Sequence, residues 1–272
     1  MREFIPLSDG NRIPPIGLGV FKMPTGRTVE LVGTAIRAGY RAVDTAAMYD
    51  NEEEVGEAVR ASDVPVFVTT KIWHTDHGYD AALAAFGRSY DRLGLETVDL
   101  CLIHWPAPRR NLYVETWKAL IRLRDEGRVR SIGVSNFAPD QLERIIDDTG
   151  VAPVANQIEL HPRFQQVELR AFHAQLGLAT ICWSPLGQGR ELTDPAIVAI
   201  ANKHGRTPAQ IVLRWHVELG LIPIPKSADP RRQAENIAIF DFALDADDHA
   251  SIAAIDDPAG RFGPDPMVLG NI

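Results

Sequence analysis

The sequence predicts a closed (β/α)8 TIM barrel with an N-terminal β-hairpin. Three observations lead there. Eight short apolar runs, "YRAVDTA", "VFVTTKIW", "DLCLIHW", "SIGVSNF", "ANQIELH", "ATICWSP", "LIPIPKS" and "NIAIFDF", alternate with amphipathic stretches, the pattern of βα units on a parallel sheet. None is followed by G-x-G-x-x-G. The fragments "GLG" at Gly17 to Gly19 and "GQG" at Gly187 to Gly189 stand alone, so the dinucleotide fingerprint of an open doubly wound sheet is missing. The units also continue without a linker or a shift of composition, so one domain is expected over residues 1–272, a usual size for this barrel.

Taken in order, "FIPLSDGNRIPPIGLGV" places an Asp-Gly turn between apolar segments, which reads as a hairpin outside the barrel proper. The first strand, "YRAVDTA", runs into the acidic helical stretch "NEEEVGEAVRA". Later helices are expected at "YVETWKALIRLRDEG" and "QLERIIDDTG", each closed by the glycine that favours a helix C-terminus.

The composition is that of a soluble globular chain: 45% hydrophobic and 24% charged residues over 272 positions, enough for a sizeable core. A formal charge of −8 opposes a nucleic-acid surface, which needs a clustered basic footprint. Anionic small ligands remain compatible, because a few placed cations suffice in a cleft. Cys101 and Cys182 both lie in apolar strand-like runs and read as buried free thiols, which suits a reducing cytoplasm. No apolar leader or membrane span is recognisable, and no heptad marks an assembly element. The expectation is a cytoplasmic monomer, with no nucleic-acid or membrane partner.

Chemistry in such a barrel belongs at the C-terminal ends of the strands. Asp44 ends the first run, with Tyr49 on the following loop; Lys71 ends the second and His104 the third. Taken singly, Asp44 reads as a helix cap, Lys71 as a snorkelling surface residue and His104 as a satisfied core histidine. Three successive strands delivering all of them to one mouth is a stronger pattern. It suits proton donation coupled to carbonyl reduction. A phenol of pKa ~10 is a poor acid at neutral pH, and a neighbouring ammonium lowers that value. Lys71 would supply the charge, Asp44 would hold Lys71, and neutral His104 would orient the substrate oxygen. Lys71 beside an acid also fits a Schiff-base aldolase. His74 and His77 in "HTDH" lack further ligands, and no metal is expected.

With these residues in place, the chain resembles the aldo-keto reductase family from "DGNRIPPIGLGVFK" to "AENIAIFDFAL". The motifs "DTAAMYDNEEEVG", "TTKIW" and "LIHWP" carry the family's tetrad on Asp44, Tyr49, Lys71 and His104. The chain looks most like the compact bacterial 2,5-diketo-gluconate reductase group. The resemblance implies NADPH-dependent reduction of small aldehydes, dicarbonyls or keto-sugars, with hydride passing to the carbonyl carbon and Tyr49 protonating the oxygen. A barrel that binds NADPH as a sensor without turnover is the non-enzymatic alternative, which the intact tetrad opposes.

The same resemblance implies that Ser135, Asn136 and Gln157 bind the nicotinamide carboxamide. Trp183 stands where the family has an aromatic platform, usually Tyr or Phe. Val20, Lys22, Asp44, Ser184 and Leu186 are further implied cofactor contacts. In "IPKSADPRRQAEN", Lys226, Ser227 and Arg232 would take the 2′-phosphate, with Glu235 and Asn236 at the adenine. Asp229 departs from the Thr or basic residue of many relatives. Phe21, Trp73 and Trp105 fall at the substrate pocket, while Gln188 and Arg190 lie on a loop near the mouth. The short C-terminal segment "GRFGPDPMVLGNI" suggests an open pocket of broad tolerance.

Overall fold

The computed structural model describes residues 4–24 and 26–270. Two short strands, β1 (Ile5–Pro6) and β2 (Arg12–Ile13), form the expected antiparallel hairpin. Its turn carries Gly10 at φ 88°, and Asp9 accepts a 2.7 Å hydrogen bond from Ser131. Leu7 and Ile13 pack with Phe67, Leu100 and Ile222, so the hairpin plugs one end of the barrel.

Eight parallel strands follow: β3 (Leu18–Gly19), β4 (Ala42–Asp44), β5 (Phe67–Ile72), β6 (Val98–Ile103), β7 (Val129–Ser135), β8 (Ala155–Glu159), β9 (Ala179–Trp183) and β10 (Ile222–Pro223). Each pairs with the next in chain order. The ring closes between the first and last: Gly17 and Gly19 donate to the carbonyls of Pro223 and Pro225, both at 3.1 Å. Glycine eases the close approach at this seam. A Cβ on Gly19 would stand 3.0 Å from the Ile224 carbonyl, and one on Gly17 equally close to the Ile224 side chain.

One expected strand is corrected here. Among the described residues "NIAIFDF" joins no strand: its first two residues end a helix, and residues 238–242 form no regular element. Ile237 and Ile239 are nonetheless buried in the core, which accounts for the apolar spacing that mimics a strand. The eighth strand is instead "LG" at residues 18–19, within the fragment "GLG".

Ten helices lie among the described residues: α1 (Thr28–Ala38), α2 (Glu52–Arg60), α3 (Tyr79–Leu93), α4 (Tyr113–Asp125), α5 (Pro139–Thr149), α6 (Val167–Gln175), α7 (Pro195–His204), α8 (Pro208–Glu218), α9 (Pro230–Ile237) and α10 (Ala246–Ala253). The glycines expected after α4 and α5, Gly127 and Gly150, are left-handed at φ 74° and 72°. Apolar helix faces pack on the sheet through Leu31, Val55, Phe86, Trp117 and Leu142, leaving the strand ends opposite the hairpin to build a cavity. None of the described helices is long and apolar enough to cross a membrane.

Candidate active site

At the mouth, Asp44 is the last residue of β4, Lys71 lies near the end of β5, and His104 follows β6. Tyr49 closes a single helical turn, Ala47–Tyr49, on the loop after β4. Parallel register sets these side chains side by side; His104 even continues the ladder by donating to Ile72 at 3.0 Å.

Lys71 is fully buried and its three N–H groups have three acceptors: Asp44 Oδ1 at 2.5 Å, the Thr45 carbonyl at 2.8 Å and Tyr49 Oη at 3.5 Å. Because the phenol oxygen accepts from Lys71, its own proton is free to point elsewhere. Burial opposes the Lys71 charge, yet Asp44 and then Tyr49 outweigh it and the pKa is raised. For Tyr49, burial raises the pKa, Lys71 pulls it down and Asp44 pushes it up; the net direction is upward. That differs from the lowering expected from Lys71 alone, and burial is the reason. The phenol therefore holds its proton at neutral pH. His104 is pushed well below the ordinary histidine value by burial, then by Lys71 and His74, so its ring is neutral. Its Nδ1 is buried without a hydrogen-bond partner among the described residues.

The other strand ends extend this cluster into one chain of hydrogen bonds. Gln157 Nε2 donates to Asp44 Oδ2 at 2.7 Å, and Ser135 Oγ donates to the Gln157 carbonyl at 2.8 Å. Asn136, left-handed at φ 64°, donates to Ser135 Oγ and to the His104 carbonyl. Trp183 Nε1 closes the chain by donating to Asn136 Oδ1 at 2.8 Å, a bond that a Tyr or Phe ring in its place would have no N–H to make.

These groups face a cavity of about 720 Å³. Asp44, Tyr49, His104, Ser135, Asn136, Gln157, Trp183, Ser184, Leu186, Lys22 and Lys226 all line it, as do Phe21, Trp73, Trp105 and Gln188. Lys71 stands behind Tyr49 rather than on the wall. Val20 is not brought to the wall: it is fully buried in the core and its carbonyl accepts from Asn51 at 3.0 Å.

Of the phosphate-site candidates, Lys226 lines the cavity, and Ser227, Arg232, Glu235 and Asn236 lie beyond its wall, at and along α9. Lys226 and Arg232 are exposed, and Ser227 accepts from the Asp229 amide at 3.1 Å. Asp229 caps α9 by accepting from Arg231 N at 2.8 Å, so its carboxylate has a local use that the sequence did not disclose. Glu235 is engaged by Thr207 Oγ1 at 2.8 Å, and Asn236 is buried.

Sequence reasoning missed a wall. Met48, Ile224, Pro225, Phe262, Gly263, Pro264 and Leu269 also line the cavity, and four of these come from the C-terminal segment. That segment is short but lies over the mouth, anchored by Phe262 N and Gly263 N on Glu159, so the pocket is less open than expected. The apolar residues of this tail, Phe262, Met267, Val268 and Leu269, were the available signal. Among the described residues, no group of three or more His, Cys, Asp or Glu side chains is placed to hold a metal ion.

Comparison with known proteins agrees with this geometry. The profile described as "Aldo/keto reductase family" matches residues 15–257. An aldo-keto reductase of Mycolicibacterium smegmatis is 54% identical over 272 residues, 99% of this chain and 98% of that protein. Methylglyoxal reductase DkgA of Salmonella typhimurium is 47% identical over 271 residues, 98% of each. Among solved structures, a mutant of Gox0644 in complex with NADPH superposes with a TM-score of 0.96 at 51% identity, covering 98% of both chains. The chain belongs to the aldo/keto reductase family.

Proposed function

We propose that the protein is an NADPH-dependent reductase that converts the carbonyl of small aldehydes, dicarbonyls or keto-sugars to an alcohol, with Tyr49 as the general acid. The observation that carries this reading is the Asp44–Lys71–Tyr49 relay opening on the cavity beside neutral His104. NADPH bound to the similar Gox0644 structure supports the choice of cofactor, and the name of the Salmonella relative supports dicarbonyls among the substrates.

The residues present fit such a cofactor. Trp183 offers an aromatic face, and Ser135, Asn136 and Gln157 offer amide and hydroxyl groups at one place on the wall. In this structure they bond to one another, so a carboxamide would share or exchange those bonds. Lys226, Ser227 and Arg232 would hold a phosphate at the edge. When bound, the cofactor supplies a hydride. The chain's part is to aim the carbonyl with the His104 ring, stabilise the developing oxyanion, and deliver the Tyr49 proton to it. Lys71 keeps the phenol proton directed outward and stabilises the phenolate left behind.

A Schiff base on Lys71 is opposed by its full burial and by its three acceptors, which favour the ammonium over the nucleophilic amine. We also propose one domain in the cytoplasm, acting as a monomer; the buried free thiols of Cys101 and Cys182 support a reducing compartment.

The test is NADPH consumption with methylglyoxal, a keto-sugar and an aromatic aldehyde. Turnover of at least one is expected. Binding of NADPH with no carbonyl reduced would favour the sensor, and trapping by borohydride without nicotinamide would favour the aldolase.

A further inference from the structure

Beside the mouth, Glu159 at the end of β8 and Glu191 on the segment after β9 face one another across His161. All three are about 1% exposed. His161 Nε2 lies 3.3 Å from Glu159 Oε1, and Nδ1 lies 2.7 Å from Glu191 Oε1. The Nε2 contact is a hydrogen bond, whereas Nδ1 meets Glu191 at ionic distance without hydrogen-bond geometry; with a carboxylate at each ring nitrogen, the imidazolium is the form attracted to both. The arrangement thus calls for the charged ring.

None of the three lines the cavity, yet each is fastened to a wall that does. Glu159 accepts the amides of Phe262 and Gly263 at 2.9 and 3.1 Å, and both residues line the cavity. The Glu191 carboxylate is tucked against Gly187, where any Cβ would collide with it; the neighbouring Gln188 lines the cavity. Phe262 stacks on His161 with ring centres 4.7 Å apart and also takes the Arg190 guanidinium at 4.9 Å. Gly263 lies against the Trp183 indole so closely that a Cβ would clash with it.

We propose that Glu159, His161 and Glu191 are positioning residues: a buried ionic clamp that ties the loop after β9 to the C-terminal segment and holds these two walls around the substrate. Burial opposes the His161 charge, but the contacts with the Glu159 and Glu191 carboxylates outweigh it and raise the pKa above the ordinary histidine value. The sign follows: the clamp is complete at low and neutral pH and loosens as pH rises through the folded value.

The surrounding charges do not compete for this role. His216 on α8, whose ring contacts the Leu160 carbonyl at 3.2 Å, is held to about 4, mainly by burial, and stays neutral. Arg163 is paired with Asp194 at 2.6 Å, and Arg261 lies over Phe164. Asp256 accepts from Gln165 N at 2.9 Å, and Arg170 is half-buried near His216.

The kinetic arm of the test rests on the proposed reductase activity; the exchange arm does not. Hydrogen exchange at the Phe262 and Gly263 amides, corrected for intrinsic rate, would be followed across pH in wild type, His161→Gln and the near-isosteric Glu191→Gln. Wild-type protection should fall as pH rises, while His161→Gln should be about tenfold less protected and lack the pH step. Glu191→Gln, losing one of the two carboxylates, should move the step to lower pH. In turnover assays the variants should raise the carbonyl KM about tenfold with kcat little changed. Equal protection in all three proteins at every pH would overturn the clamp, and lost protection with unchanged KM would overturn its positioning role. If no carbonyl is reduced, the reductase reading fails while exchange still decides the clamp.

Discussion

The Lys71 ammonium lies 2.5 Å from the Asp44 carboxylate and 3.5 Å from the Tyr49 hydroxyl, so one buried cation serves both an acid that holds it and a phenol that needs it. Removing the phenol oxygen alone leaves the pair and the aromatic packing of Tyr49 on Phe21, at 4.9 Å between ring centres, in place. Tyr49→Phe should therefore lower kcat by about 10²- to 10⁴-fold, the usual worth of a positioned acid, while NADPH still quenches the protein's fluorescence. Surviving activity would remove Tyr49 from the acid's role.

Lys71 carries a stability cost of its own. Lys71→Met leaves the Asp44 carboxylate buried, with Gln157 Nε2 as its remaining side-chain donor. Breaking a buried pair by removing one partner costs about 3–5 kcal/mol. Denaturant unfolding should show a loss of that order for the single variant and a smaller one for Lys71→Met combined with Asp44→Asn. Equal losses would mean that the two groups do not interact as the geometry requires.

What could be read from sequence follows from how each signal is carried. The strands β5 and β6 are each six residues of nearly continuous apolar or β-branched chain, and periodicity finds such runs. The strand β3 is two residues between prolines and glycines, and its role depends on Pro223 and Pro225, more than 200 positions away. Local pattern cannot report a seam of that kind, and "NIAIFDF" imitated the missing strand because burial of Ile237 and Ile239 has the same alternation. Asp44, Lys71 and His104 were legible because each directly follows or ends a recognisable run. The Phe262 wall was not, because the tail that carries it has no regular element to place it. The direction of the Tyr49 shift was also hidden, since burial is a property of the fold.

The choice between cofactors bears on Arg232 and Asp229. Arg232 is exposed near the start of α9, whereas the Asp229 carboxylate is occupied as the cap. A charge-assisted bond to phosphate is worth about 1.5–3 kcal/mol, so Arg232→Ala should reduce the preference for NADPH over NADH about tenfold or more. Asp229→Asn keeps the capping geometry while removing a negative charge from beside the proposed phosphate site, and it should strengthen NADPH binding modestly. Isothermal titration of both cofactors checks both variants, and an unchanged preference in Arg232→Ala would place the phosphate elsewhere.

Three buried histidines besides His104 make the fold sensitive to acid. His173 and His216 are held to about 4 and His77 to about 3, in each case chiefly because burial disfavours the imidazolium. Folded values below the unfolded one mean that the unfolded chain binds more protons. The stabilisation is present above about pH 6.5 and is lost as pH falls toward the folded values. At about pH 5 each group should cost about 2 kcal/mol relative to neutral pH, while His161, shifted the other way, offsets part of the loss. Urea unfolding should show stability falling by several kcal/mol between about pH 7 and about pH 5. Among the described residues, the His173 ring is hydrogen-bonded by Asn156 and Thr180, each at 2.9 Å, so His173→Gln should lower stability at neutral pH yet flatten this slope. A slope that stays the same in the variant would show that His173 is not kept neutral by the fold.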